Sequence, residues 1–123
     1  MSIPRSSPEL HEGDYGNILK FNIRQSRIEP FSLVMSTSVF LAFMRPDGSV
    51  FTRTALLVPS TDSSLPDGTS GEIFYVIQDG DLDQPGNWYL QVFVEFDDRR
   101  FGSTAISFIV FPSLLSLSEL IAP

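Results

Sequence analysis

The 123-residue chain has no cysteine, one lysine, one histidine and no long apolar run. Without cysteine it has neither a disulfide framework nor a thiolate nucleophile. Its net charge of −7 argues against nucleic acid, because phosphate contacts need clustered Lys and Arg. The N-terminal stretch "MSIPRSSPEL" lacks an apolar signal core, and no apolar run reaches the length of a membrane span. The sequence therefore predicts a protein that binds neither nucleic acid nor a membrane.

The chain also lacks the residue arrangements that catalysis usually needs. The single histidine, His11, lies in a polar N-terminal stretch, which is a poor position for a rigid Ser-His-Asp triad. The acidic residues are spread over turn-forming segments, whereas general acid/base catalysis needs carboxylates with shifted pKa values in a pocket. A Gly-rich phosphate loop is absent from the sequence. We therefore expect no enzyme, no catalytic or metal-binding residue and no cofactor.

The composition of the chain changes along its length and divides it into three parts. Residues 1–16 are polar, contain two Pro and two Gly, and are predicted to form an N-terminal arm. Residues 17–111 carry almost all of the periodic signal and are predicted to be the folded domain. Residues 112–123, "PSLLSLSELIAP", form an apolar C-terminal tail that begins with Pro112.

The middle part reads as a series of short β-strands. Apolar and polar residues alternate in some segments, and others are apolar on both faces, as strands covered on both sides are. The predicted strands are residues 18–24, 38–45, 49–58, 72–77, 87–96 and 101–111. Turn-forming residues separate them. Pro46, Asp47 and Gly48 suit a tight hairpin, and Gly102 suits a bulge in the last strand.

Six or seven short strands with no room for crossover helices favour an all-β, antiparallel sandwich over a parallel sheet. A small β-barrel remains the alternative, because counting strands does not separate the two.

The stretch "DGDLDQPGNWYLQV" at residues 79–92 contains three aspartates at alternate positions, Asp79, Asp81 and Asp83. The spacing matches the first ligands of a calcium loop. The sixth position of that pattern is Gln84 instead of Gly, however, and the twelfth is Leu90 instead of Glu. We therefore interpret the segment as a solvated loop between two strands, while a cation site completed by a neighbouring subunit stays open.

The aromatic residues after this loop divide between the two faces of a strand. Alternation places Trp88 in the core and puts Tyr89 and Phe93 on the opposite face, together with Phe40 of an earlier strand. Large apolar side chains on a nominally solvated face suggest a covered surface. Tyr89 and Phe93 are therefore candidate partner-binding residues.

The tail supplies the other candidate partner-binding residues. Leucines and an isoleucine recur at a spacing of three to four, and Ser116 and Glu119 could form a capping box, so a short helix is predicted. Such a segment either folds back over its own sandwich or docks on another subunit. The candidates are Leu114, Leu115, Leu117, Leu120 and Ile121.

The order of several short motifs resembles a known family. The chain has Gly13-Asp14 before its first long strand, the Pro46-Asp47-Gly48 hairpin, and Gly71 ahead of a strand with Tyr75. Further on come Leu82, Pro85-Gly86 and Trp88, then Ser107-Phe108 with Val110 in the last strand. Over residues 13–111 this order is similar to the immunoglobulin-like N-terminal domain of phage baseplate upper proteins and related tail or fibre attachment proteins.

This resemblance implies an immunoglobulin-like sandwich that serves as a structural adaptor in a bacteriophage tail or baseplate and carries no catalysis. The expected partners are other virion proteins and further copies of the chain. The expected location is the virion, after synthesis in the bacterial cytoplasm. Two alternatives stay open: a capsid decoration protein, and a carbohydrate-binding module that recognises the host surface. Side-by-side exposed aromatics in a groove would favour the carbohydrate module.

Overall fold

The computed structural model describes residues 9–25 and 29–114, and every secondary-structure element within them is a β-strand. These described residues contain nine strands: β1 Leu10–His11, β2 Ile18–Asn22, β3 Ser38–Met44, β4 Val50–Thr54, β5 Leu56–Leu57, β6 Glu72–Val76, β7 Gly86–Phe96, β8 Arg99–Gly102 and β9 Ile106–Phe111. No helix in the described residues is long and apolar enough to cross a membrane.

The strands form two sheets. The larger has the order β1-β9-β7-β3-β4, with β8 also paired to β7, and the smaller has the order β2-β6-β5. Every pairing is antiparallel except that of β1 with β9. The chain passes from the larger to the smaller sheet at buried Ala55, between β4 and β5. The predicted antiparallel β-sandwich is confirmed.

The core lies between the sheets and is built from alternate residues of their strands. Trp88, Leu90, Val92 and Val94 of β7 are all buried, and they face buried side chains from β2 and β6 of the smaller sheet. The predicted core position of Trp88 is confirmed, since its side chain is fully buried. Its indole Nε1–H donates to the carbonyl oxygen of Gln84 at 3.0 Å, so the one polar atom of the ring is satisfied.

The hairpin between β3 and β4 has the turn chemistry that its sequence predicts. The amide of Arg45 donates to Ser49 O at 2.8 Å, and the amide of Gly48 donates to Arg45 O at 2.9 Å. Gly48 has φ +88°, so its lack of a Cβ is required at this position. This is a three-residue loop with glycine in the left-handed position.

Two boundaries differ from the sequence prediction. Leu10 and His11 of the predicted arm form β1 and pair with Val110 and Phe111, and Leu10 is buried in the core. The folded body therefore begins before residue 17. The pattern missed this strand because two residues are too few to show a period of two.

The predicted strand at residues 101–111 is divided into β8 and β9. Phe93 pairs with Gly102, whereas Leu90 pairs with Ile106, so three residues of this segment oppose two of β7. The segment therefore contains a bulge at residues 103–105, next to the position predicted at Gly102. At the bulge, Ser103 provides hydrogen-bond partners for both backbone groups of Val92. Its amide donates to Val92 O, and its hydroxyl accepts from Val92 N.

Candidate interaction surface

The candidate site is the outer face of the larger sheet, which points away from the core. Paired residues of neighbouring strands lie on the same side of a sheet, so the register identifies this face. Across β4, β3 and β7, Val50 pairs with Met44 and Met44 with Tyr89, while Phe40 pairs with Phe93. Ile109 of β9 pairs with Asn87 on the same side.

Apolar side chains of all four strands lie on this face. Val50 is 60% exposed, Ile109 54% and Tyr89 44%, while Phe40, Met44 and Phe93 are half-buried. We call this set the apolar band: Phe40, Met44, Val50, Tyr89, Phe93 and Ile109. A shallow depression of about 330 Å³ lies within it, and its lining includes Met44, Val50, Tyr89 and Phe93, the small residues Ala42 and Ala105, and the polar residue Gln91.

The outer face is nearly free of charge. On the outward positions of β9, β7, β3 and β4 the only ionisable acid or base is Glu95, apart from the phenol of Tyr89. The Glu95 carboxylate is neutralised by Arg100, whose Nη2 lies 2.7 Å from Oε1. The whole chain has 15 acidic and 8 basic residues, so the near absence of charged side chains distinguishes this face from the composition of the chain as a whole.

The aromatic residues of the band do not form a flat platform. The rings of Phe40 and Phe93 stack on each other, with centroids 5.2 Å apart and an angle of 17° between their planes. Each ring therefore directs one of its faces to the other ring. Tyr89 is separated from this pair along the strand, and Trp88 is buried.

The acidic loop between β6 and β7 has a different role from the one predicted. Asp81 is buried, so the prediction of a solvated loop is wrong for this residue. Its Oδ1 accepts from Nε of Arg53 at 3.1 Å and lies 3.0 Å from Nη2. Its Oδ2 accepts from the hydroxyl of Tyr75 and from the amide of Gln78. Because Arg53 belongs to β4 and Tyr75 to β6, Asp81 ties the two sheets together.

Two further contacts hold the same loop to the β3–β4 hairpin. Arg45 Nε donates to Asp83 Oδ1 at 3.0 Å, and Gln84 Nε2 donates to Asp47 Oδ2 at 2.7 Å. We call the contacts Arg53–Asp81, Arg45–Asp83 and Gln84–Asp47 the polar latch. Both guanidinium groups lie over the ring of Phe51, with that of Arg45 4.4 Å and that of Arg53 4.7 Å from the ring centre. The latch fixes the end of the sandwich from which β7 begins.

Asp47 of the polar latch and Tyr75, which bonds to Asp81, both have shifted pKa values. Hydrogen bonds from the Ser49 hydroxyl and then the Gln84 amide lower the pKa of Asp47 from 3.8 to about 2. Burial, followed by the hydrogen bond to Asp81, raises the pKa of Tyr75 to about 12. Both shifts are explained by structural contacts. Within residues 9–25 and 29–114, no three His, Asp or Glu side chains converge as a metal-binding group would require.

The structure locates only part of the predicted partner-binding set. Tyr89 and Phe93 lie in the apolar band, on the face that strand alternation predicts. Leu114 is 81% exposed beyond the end of β9. The other tail residues fall outside the described part of the chain, namely Leu115, Leu117, Leu120 and Ile121.

Three members of the apolar band were not identified from the sequence: Met44, Val50 and Ile109. The signal for Met44 was present, because "SVFLAFM" is apolar on both faces. Val50 and Ile109 became recognisable only once the register placed them beside Met44 and Asn87.

The lone histidine also lies elsewhere than expected. His11 is part of β1 and its ring packs 5.8 Å from that of Phe111. The nearest carboxylates are those of Glu9 and Asp14, each 3.7 Å from one of its ring nitrogens. These contacts serve the sheet edge and the turn that follows it.

Comparison with known proteins gives limited information. No protein-family model matches the chain, and no curated protein matches it. Among solved structures, the crystal structure of CopC from Methylosinus trichosporium OB3b is similar, with 11% sequence identity and a TM-score of 0.49. The alignment covers 91% of each chain. Likeness at this level carries no functional argument.

Proposed function

We propose that this protein is a structural adaptor of a bacteriophage virion, in the tail or baseplate, and that it binds neighbouring protein subunits through the apolar band. The observation that carries the proposal is the set of exposed and half-buried apolar side chains on one face of four strands, a face from which charge is almost absent. Soluble monomers rarely expose such a surface, and where they do it commonly marks an interaction site. Aromatic and Met side chains with few charges are also the composition of an interface core.

The scaffold beneath the band suits this role. Two of the strands that carry it, β3 and β7, are central in the larger sheet, and their inner faces are filled by Leu41, Phe43, Leu90 and Val92. The polar latch holds the start of β7 to the β3–β4 hairpin. A preorganised surface loses little conformational entropy when it binds, so more of the contact free energy remains for affinity.

The phage setting rests on the sequence resemblance. Its motif residues have structural tasks that fit one fold: Gly48 closes the hairpin, Gly71 has φ +74°, and Trp88 fills the core. This agreement supports the proposal at the level of the fold, and the experiment below addresses the virion role directly.

The experiment is to purify particles of the phage whose genome encodes the chain, and to measure the chain's copy number by quantitative mass spectrometry. We expect stoichiometric incorporation of the wild-type chain. Tyr89→Asp places a charge in the centre of the band and is expected to lower incorporation at least about tenfold, equivalent to about 1.4 kcal/mol. Immunogold labelling of the particles distinguishes the tail or baseplate from a decorated capsid.

Ile18→Asp is the matched control. Ile18 is 52% exposed on the outer face of the smaller sheet, close to the 44% of Tyr89, and it lies outside the band. We expect this variant to be incorporated normally. Absence of the chain from purified particles would contradict the virion role, and equal loss of both variants would contradict the role of the band.

A carbohydrate-binding role has less support from the geometry. Its expected signature is a pair of exposed aromatic rings side by side, whereas Phe40 and Phe93 stack on each other. Specific glycan binding by the wild-type chain that is lost in Tyr89→Ala would favour that role over the adaptor.

A further inference from the structure

The C-terminal segment leaves the sandwich beside the apolar band. β9 ends at Phe111, and Val110 pairs with Gly86 at the start of β7. A Cβ on Gly86 would lie 3.0 Å from the ring of Pro46 in the β3–β4 hairpin, so the end of β9 lies at the hairpin end of the sheet. Met44, Val50 and Tyr89 lie at this same end, because they pair close to that hairpin. The segment and the band are therefore neighbours on the surface.

The first residue of the segment's apolar pattern does not use this neighbouring surface. Leu114 is 81% exposed, so its side chain is not buried on the sandwich from which it emerges. Val50, Tyr89 and Ile109 remain substantially exposed as well. The chain thus carries an apolar C-terminal segment next to the apolar band, and at Leu114 the segment is not buried against that band.

We propose that the apolar band binds the C-terminal segment of a second copy of this chain, residues 114–121, and that two copies exchange these segments reciprocally. This inference names a partner for the adaptor surface and in that respect rests on the proposed function. A two-fold arrangement brings each departing segment to the hairpin end of the other copy's sheet, so both contacts form at once. Exchange of a terminal segment between identical chains is a low-cost route to a dimer.

The dimensions of segment and band agree. From β9 to β4 the sheet crosses three inter-strand spacings, which is about 14 Å. A helix over residues 114–121 would span about 12 Å. Their apolar residues recur every three to four positions: Leu114, Leu117, Leu120 and Ile121. Such a stripe presents one apolar side to a surface.

The distribution of charged side chains also fits a contact between the band and the C-terminal segment of a second copy. Each copy carries a net charge of −7, so two copies repel over most of their surfaces. The four strands under the band present only the neutralised Glu95, and Glu119 is the only ionisable side chain at residues 112–123. A contact between this face and the segment therefore involves only two carboxylates, Glu95 and Glu119, and Glu95 is paired with Arg100.

The test is sedimentation equilibrium of the full chain over a wide concentration range. We expect a concentration-dependent dimer for the wild type and for the control Ile18→Asp. A band variant, Tyr89→Asp, and a segment variant, Leu117→Asp with Leu120→Asp, are each expected to weaken the dimer by at least about tenfold. Tyr89 is exposed and the segment lies after the last strand, so both variants are expected to keep the wild-type fluorescence of buried Trp88.

Mixing the two variants gives the sharpest result. The band variant retains an intact segment and the segment variant an intact band, so a mixed dimer can form one complete contact. We expect the mixture to associate more tightly than either variant alone. If the segment instead bound only its own sandwich, mixing would leave both variants as they were.

Three outcomes would overturn the inference: a wild-type chain that stays monomeric at all concentrations, dimers that survive both variants, or equal dissociation of Ile18→Asp. Different results would contradict the segment exchange and the proposed virion function. Particles that incorporate a monomeric chain contradict the exchange alone, and dimers that are absent from particles contradict the virion role alone.

Discussion

At the scale of single residues, the most consequential is Asp81. Its carboxylate accepts hydrogen bonds from Arg53, Tyr75 and the amide of Gln78, which belong to both sheets and to the loop between them. A buried carboxylate is costly unless its oxygens are bonded, and here they are. One side chain therefore joins three segments that are distant in sequence.

We expect Asp81→Asn to lower the free energy of unfolding by about 2–3 kcal/mol. The substitution removes the negative charge opposite Arg53, and the side-chain N–H group of Asn then faces a hydrogen-bond donor where the carboxylate had an acceptor. The Arg53 guanidinium is partly exposed, so water can solvate it after its partner charge is lost. The loss is therefore smaller than the largest losses seen when fully buried ion pairs are broken. The matched control is Asp79→Asn in the same loop, which is exposed and expected to change stability by less than about 0.5 kcal/mol. Urea denaturation followed by Trp88 fluorescence measures both, and equal effects would contradict the assignment.

Asp47 predicts a pH dependence at the acidic end. The folded state lowers its pKa from 3.8 to about 2, so the contribution of this carboxylate is complete above about pH 4. It is lost as the pH falls towards 2, because protonation then favours the unfolded chain. Carbon-detected NMR titration should give an Asp47 midpoint near 2. Ser49→Ala, which removes the hydroxyl that lowers this pKa most, should move the midpoint upward, and an unchanged midpoint would contradict the stated cause.

At the scale of elements, the glycine before β6 shows why a motif needs a particular residue. Gly71 has φ +74°, and a Cβ there would lie 2.9 Å from Phe31 O and closer still to Ile23 O. Its own carbonyl accepts from the amide of Ile23 at 2.8 Å, so the backbones cannot easily separate. Glycine is thus required at position 71 for both a conformational and a steric reason.

Gly71→Ala is therefore expected to cost more than about 3 kcal/mol or to prevent folding, because strain and a backbone clash add. Gly80 is the matched control. It has φ +89° with no atom within 4 Å of an added Cβ, so Gly80→Ala is expected to cost only about 1 kcal/mol. Thermal unfolding of the two variants checks the difference. Equal losses would mean that the backbone conformation alone decides the cost.

The elements also show what local sequence can and cannot predict. Alternation located β2, β3, β6 and β7 to within a residue or two, because one side of each strand is buried. The hairpin at Pro46-Asp47-Gly48 was predicted from residue types that favour one turn geometry. The two-residue strand β1 was missed, because its pairing with β9 is a contact between residues about 100 positions apart.

The candidate site was predicted less completely than the fold. Tyr89 and Phe93 followed from alternation within one strand. Val50 and Ile109 join them only through the register of four strands, which a single sequence does not contain. The burial of Asp81 was missed for the same reason, since its partners Arg53 and Tyr75 lie 28 and 6 residues away.

At the scale of the whole molecule, charge and apolar surface are separated. The acidic loop and the β3–β4 hairpin lie at one end of the sandwich, whereas the band lies on the outer face of the larger sheet, with Met44, Val50 and Tyr89 nearest to that end. The proposed dimer must therefore form against the repulsion of two chains with a charge of −7 each. The effect of salt on this dimer separates an apolar contact from one made by ion pairs.

We expect the dimer to become tighter as NaCl rises from about 0.01 M to about 1 M, because the screening length falls from about 30 Å to about 3 Å. An apolar contact keeps its own contribution while the repulsion between copies declines. Sedimentation equilibrium across this series measures the change. A dimer that dissociates with added salt would indicate ion pairs at the interface and would count against the band as its centre.

The bulge at residues 103–105 has a consequence for how the chain can change length. It is the place where β8 and β9 hold one residue more than β7 requires. Removal of Thr104 would leave two residues opposite two and keep both flanking ladders in their present pairing, with every side chain on its present face. The same deletion inside β7 would turn the following residues over and bring core side chains to the surface. Within its central ladder, the fold can therefore lose a residue at the bulge without inverting a face.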